Sequence, residues 1–160
     1  MKTTREERFA ELLYEFNGQR NHTLVPAVMI DVKSFFWVML FGIIASGNNH
    51  QNAGFVLIED NELFYYSIKG SGRRQKIVAR RQLVFNRMER VHGSGGRKNL
   101  FNRLEIRWRN NDNRRINVTL GGGTRSQFPN QRANLHEIRK LISSNYIVVT
   151  PERRINMNQY

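Results

Sequence analysis

The run from Arg103 to Leu120 constrains the fold more than any other part of the sequence. Leu104, Ile106 and Trp108 alternate with Arg103, Glu105, Arg107 and Arg109. Across the polar residues Asn110 to Asn113, Ile116, Val118 and Leu120 alternate with Arg115, Asn117 and Thr119. Successive side chains on a strand point to opposite faces, so this rhythm predicts an antiparallel hairpin with one face on a core and the other in water. The wet face is mostly arginine, with Arg103, Arg107, Arg109 and Arg115 on the same side in this register. Like charges set close together on a sheet are destabilising unless something offsets them. Two readings follow: an anionic partner covers the face, or each guanidinium is hydrated and Glu105 relieves part of the repulsion.

More strands precede this hairpin. Phe55 to Ile58 and Leu63 to Ile68 flank the polar Glu59, Asp60, Asn61 and Glu62, which suggests a second hairpin. Gly70, Ser71 and Gly72 mark the next turn, followed by strand-like runs at Lys76 to Ala79 and Leu83 to Val91. His92 to Gly96 reads as a flexible connection. Thr23 to Asp31 reads as a strand that Pro26 makes irregular or confines to an edge, because proline donates no ladder hydrogen bond.

Helical spacing appears twice. Phe9, Leu12, Leu13 and Phe16 form one stripe behind a Thr4/Glu7 capping-box pattern, with Gly18 as the stop. Leu135, Ile138, Leu141 and Ile142 do the same within Pro129 to Ser143. Tyr146 to Val149 fits a short strand, and Pro151 to Tyr160 has no apolar rhythm and reads as a tail. The domain reading is a helix over 1–20, the main domain over 21–145 and a tail over 146–160.

The most apolar stretch, Phe35 to Ala45, is shorter than the ~17 to 25 residues that a membrane-spanning helix needs. It reads as a buried core helix or strand. The alternatives are an oligomer or partner contact through Phe35, Phe36, Trp37 and Phe41, or an insertion into a membrane interface.

Charge narrows the function classes. Of 26 basic residues, fifteen lie between Lys69 and Arg115, against only Glu89, Glu105 and Asp112, so this segment carries +12 of the formal +13. A charge held in one region acts as a field on an anionic partner. The chain has no cysteine, which removes disulfides, thiolate metal sites and cysteine nucleophiles and suits a reducing compartment. The start, Met1 to Glu7, is polar and no apolar signal core follows it, so a cytoplasmic location is expected, with peripheral attachment to the inner membrane face as its extension. His22, His50, His92 and His136 never approach ligand spacing, and neither G-x-S-x-G nor a P-loop occurs. No catalytic residue, metal or cofactor is expected.

A helix, six or seven short antiparallel strands and a closing amphipathic helix together resemble the pleckstrin-homology superfold, in particular bacterial PH-like domains related to GRAM domains. The resemblance covers about residues 54 to 143. It is carried by GFVLIEDNELFYYSIKG (Gly54 to Gly70), which is similar to an opening hairpin of those families, by LEIRWRNNDNRRINVTL (Leu104 to Leu120), and by Leu135 to Ile142 as the end of a capping helix. Glu59 and Asn61 stand where those families tend to have Thr and a Lys or Arg. The resemblance implies an α+β fold with a PH-like barrel or sandwich, no catalysis, and binding of anionic lipid or protein.

The candidate ligand residues are then Arg73, Arg74 and Lys76 in the glycine-flanked turn, and Arg103, Arg107, Arg109 and Arg115 on the late hairpin. Arginine offers paired donors to phosphate oxygens. The acidic Glu59, Asp60 and Glu62 weaken a specific phosphoinositide site at the first hairpin. The sequence reading is a non-catalytic binding or assembly module that docks on an anionic lipid surface or a protein partner. The rival is a non-specific nucleic-acid-binding protein, since a concentrated basic face binds a phosphate backbone through counterion release.

Overall fold

The structure is a computed structural model and describes residues 3–21, 23–31, 51–94 and 103–146. Helix α1 (Arg5–Asn17) precedes seven strands: β1 (Val25–Asp31), β2 (Gln51–Glu59), β3 (Glu62–Lys69), β4 (Lys76–Gln82), β5 (Met88–Ser94), β6 (Arg103–Arg109) and β7 (Arg115–Gly121). Helix α2 (Gln131–Tyr146) follows. All pairings are antiparallel and the strand order is β4-β3-β2-β1-β7-β6-β5. Two meanders, β1 to β4 and β5 to β7, are therefore joined side by side through β1 and β7.

Both hairpins predicted from the sequence form. Asp60 and Asn61 take φ of 49° and 61°, so both residues of the two-residue turn between β2 and β3 are left-handed. This backbone matches the right-handed twist of the flanking strands, and Asp and Asn tolerate it better than most residues. On β6 and β7 the register Leu104↔Leu120, Ile106↔Val118 and Trp108↔Ile116 puts the apolar set on one face, as alternation requires.

That inner face is packed by α2. Val25, Ala27, Met29, Val56, Leu63, Tyr65, Leu104, Ile106, Trp108, Val118 and Leu120 share one buried cluster with Leu135, Ile138 and Ile142 of α2. Strands from both meanders meet in it, so the sheet curls around a single core.

The outer face is divided. Over β2 to β4 it is covered by α1: Phe9, Leu12 and Leu13 pack on Phe55, Leu57, Phe64, Tyr66 and Ile77 in a second cluster. Phe55 stacks on Phe9 and on Tyr66, with centroids 5.2 Å apart in each case. β2 and β3 are thus buried on both faces, which is why Phe55 to Leu57 and Leu63 to Tyr66 are continuous apolar runs rather than alternating ones. Burial of each such side chain contributes about 1.5–3 kcal/mol. Gly54 permits the pairing: a Cβ there would sit 1.8 Å from the Tyr66 carbonyl oxygen.

Helix α1 starts on the anticipated capping box, with the Glu7 amide donating to Thr4 Oγ1 at 3.1 Å and the Thr4 amide donating to Glu7 Oε2 at 2.7 Å. It ends at Gly18, whose φ of 73° suits a residue without Cβ. Its N-terminus is tied to the segment before α2, where Glu6 accepts from the Asn130 amide at 3.1 Å and from Asn130 Nδ2 at 2.8 Å.

Five expectations need correction. His92 to Ser94, read as the start of a flexible connection, are the end of β5 and pair with β6. β1 lies in the middle of the sheet, not at an edge; Pro26 is tolerated because pairing with β7 begins only at Ala27↔Leu120, so no ladder bond is required of it on that side. The run Leu83 to Val91 is not one strand, because a 3-10 turn over Phe85–Arg87 separates β4 from β5. Phe16 is not in the buried stripe but 47% exposed, with its edge against the Tyr66 ring. Tyr146 ends α2 instead of starting a strand. The apolar stretch Phe35 to Ala45, with Phe35, Phe36, Trp37 and Phe41, lies outside the described residues, as do residues 147–160.

Candidate anion-binding face

The half of the outer face that α1 leaves uncovered is formed by β5, β6 and β7. Because Leu104, Ile106 and Trp108 point to the core, Arg103, Glu105, Arg107 and Arg109 point outward, joined by Arg115, Asn117 and Thr119 of β7. The four hairpin arginines named from the sequence do share one face.

β5 adds residues that sequence reasoning missed. Its register skips between Met88, opposite Trp108, and Arg90, opposite Arg107, so Glu89 is an extra residue in a bulge. A bulge re-aims side chains, and here it leaves Arg90 and His92 exposed on the outer face while Val91 packs on the core. The same irregularity hid them, because a bulge breaks the two-residue period by which a strand is recognised.

The face holds two pairs of arginines directly opposite one another, and they are treated differently. Arg109↔Arg115 is bridged by Glu89: Arg109 donates from Nε to Oε1 at 2.8 Å and also from Nη2, and Arg115 Nε lies 3.2 Å from Oε2. Arg109 Nη1 further donates to Asn113 Oδ1 at 2.9 Å. The hydrogen bond from Arg109, reinforced by the fields of Arg109, Arg115 and Arg107, holds the Glu89 carboxyl below its usual range. Arg90↔Arg107 has no such bridge. Arg107 Nε donates to Asn117 Oδ1 at 3.4 Å, and among the described residues neither arginine of this pair has a carboxylate at ion-pair distance. Glu105, the partner anticipated from the sequence, stands opposite His92 and Thr119 and forms no ion pair among the described residues.

Beyond the Arg109↔Arg115 row the face ends at the β6–β7 turn. A cleft of about 320 Å³ opens there between Asn86 to Glu89 and Arg109 to Asn113, with Arg87 Nη1 donating to Asn111 Oδ1 at 2.6 Å. At the other end, Arg103 lies opposite Gly121 with its guanidinium beside Gly122, and its carbonyl accepts from Arg139 at 3.2 Å.

Arg73 and Arg74 stand on an exposed 3-10 turn (Gly72–Arg74), and Lys76 starts β4. The strand order puts β3, β2 and β1 between them and β7, so the two basic groups are not neighbours within the sheet.

Charges on the covered half are paired internally. Arg80 donates to Glu59 Oε2 at 2.5 Å and to the Tyr66 hydroxyl at 3.0 Å, while that hydroxyl donates to Glu59. Burial, with the Glu59 hydrogen bond, pushes the Tyr66 phenol up to about 12. Arg80 also lies over the Phe64 ring at 3.7 Å. Among the described residues no cluster of His, Asp and Glu suits a metal ion, and no helix is long and apolar enough to cross a membrane.

No family model matches the chain, and no curated protein or solved structure matches it either.

Proposed function

We propose that this chain is a non-catalytic binding module, built on a PH-like barrel, that docks through the outer face of β5, β6 and β7 onto an anionic partner. The observation that carries the reading is the Arg90↔Arg107 pair: two like charges set directly opposite each other on a face that α1 leaves open, with no carboxylate between them and no helix over them among the described residues. Opposed like charges cost stability, and an anion bound between them offsets that cost. The fold part of the reading is supported by two antiparallel meanders joined through β1 and β7 and by a C-terminal helix on the core they enclose.

The test is elution from an immobilised polyanion, heparin, in a salt gradient. Because the whole chain is basic, retention alone is not informative; the comparison is between two double variants with equal loss of charge. Arg90→Gln/Arg107→Gln elutes at clearly lower salt than Arg125→Gln/Arg132→Gln, whose exposed arginines lie in the loop after β7 and on α2. Equal elution of the two variants overturns the reading.

A further inference from the structure

Resting on that reading, we infer that the anionic partner is the phosphate backbone of a nucleic acid, bound without regard to base sequence along the strip from Arg103 to the β6–β7 turn. Four features of the strip select this partner.

Its cations are all guanidiniums: Arg87, Arg90, Arg103, Arg107, Arg109, Arg114 and Arg115, with no lysine on β5, β6, β7 or the β6–β7 turn. A membrane field attracts an ammonium and a guanidinium alike. The planar, paired donors of arginine favour discrete phosphate oxygens.

Between the arginines stand the carboxamides of Asn110, Asn111, Asn113 and Asn117 and the hydroxyl of Thr119. These groups contact phosphate and sugar in protein–nucleic acid interfaces, and three of the four carboxamides border the 320 Å³ cleft at the end of the strip.

No large apolar residue is exposed on the strip. Among the described residues the exposed large hydrophobics are Tyr14, Phe16 and Val78, on α1 and β4. Peripheral membrane binding scales with the apolar area inserted as well as with charge, and the described residues of this face offer no large apolar side chain to insert. For the same reason its described residues form no aromatic platform on which unpaired bases stack, which favours the backbone as the ligand.

Finally, the strip is long. Arg103 and Arg109 are six strand steps apart, about 20 Å, with the cleft beyond. That length suits a row of phosphates better than a single head group.

The experiment uses the full chain and three probes: a labelled mixed-sequence single strand, a duplex of the same sequence, and phosphatidylcholine vesicles with and without phosphatidylserine. Oligonucleotide affinity is read by fluorescence anisotropy across a salt series. The expected result is binding that is indifferent to scrambling of the sequence, with log K falling linearly in log salt. Arg90→Gln/Arg107→Gln then lowers the single-strand slope by roughly 1.4, since each phosphate contact on a single strand contributes about 0.7, and weakens binding at least tenfold. Arg125→Gln/Arg132→Gln leaves the slope close to that of the unaltered chain. Strong dependence on base sequence, or equal effects of the two double variants, overturns the inference. Sedimentation with phosphatidylserine vesicles through Arg90 and Arg107, together with no anisotropy change at low salt, overturns the nucleic-acid assignment while leaving the docking face standing. No binding to either probe overturns both.

Discussion

The two halves of the outer sheet face put their polar groups to opposite uses. Over β2 to β4, α1 supplies an aromatic cover, and Arg80, Glu59 and Tyr66 satisfy one another beneath its C-terminal end. Over the outer face of β5 to β7, among the described residues, no helix packs, one carboxylate is shared between two arginines, and a second arginine pair stands unbridged. The Glu59 carboxylate is only 15% exposed and meets its complements within the chain, because a poorly solvated unpaired charge is costly. Where water remains, repulsion is screened, and the surface is free to hold charge that only an outside partner completes.

The largest effects are expected in β2 and β3, which are buried on both faces. Gly54→Ala forces a Cβ into the Tyr66 carbonyl, and with no flexible side chain to give way it should destabilise the chain by at least ~3 kcal/mol, read as a lower urea midpoint. Tyr66→Phe removes the hydroxyl that links Glu59 and Arg80 and should cost ~1 kcal/mol. Its pH signature is distinct. The phenol is raised in the folded state, so its contribution is complete below an unfolded pKa of ~10 and is lost as pH rises through about 12; Tyr66→Phe should flatten that alkaline loss.

On the open half the effects are smaller. Glu89→Gln unbridges Arg109 and Arg115 and should cost ~0.5 kcal/mol near neutral pH, because the pair is partly exposed. Glu89 is lowered in the folded state, so this contribution is present above the unfolded pKa of ~4.3 and disappears as pH falls through the folded value; the variant and the unaltered chain should converge in acid. The same substitution should tighten polyanion binding by releasing two guanidiniums. Arg90→Gln/Arg107→Gln should leave stability within ~0.5 kcal/mol. A marked loss of stability there would place those arginines in the architecture and dissolve the contrast.

Much of the fold was legible in the sequence because it is written in periods. The alternation of Leu104 to Trp108 and Ile116 to Leu120 set the register of β6 and β7, and the spacing of Phe9, Leu12 and Leu13 gave α1. The central position of β1 was not legible, since its second neighbour, β7, lies about ninety residues further on and Pro26 argued locally for an edge or an irregular strand. Most of the arginine face could be read: Arg103, Arg107, Arg109 and Arg115 follow the period, whereas Arg90 sits just past a bulge. Glu89 was invisible as the bridging anion because its link to Arg109 and Arg115 is formed across strands. The Glu59–Tyr66–Arg80 group is equally non-local, and no linear spacing predicts it.

The pairing of β1 with β7 also sets an order of events in synthesis. Ala27 finds Leu120, and Glu6 finds Asn130, only after most of the chain has been made. Until then the first meander can form with α1 on one side, but its β1 edge stays unmatched, a ready template for pairing with another strand. Closing contacts so distant in sequence is slow, so the joining of the two meanders is the step expected to limit folding. A pause in translation before β7 should prolong the exposure of that edge.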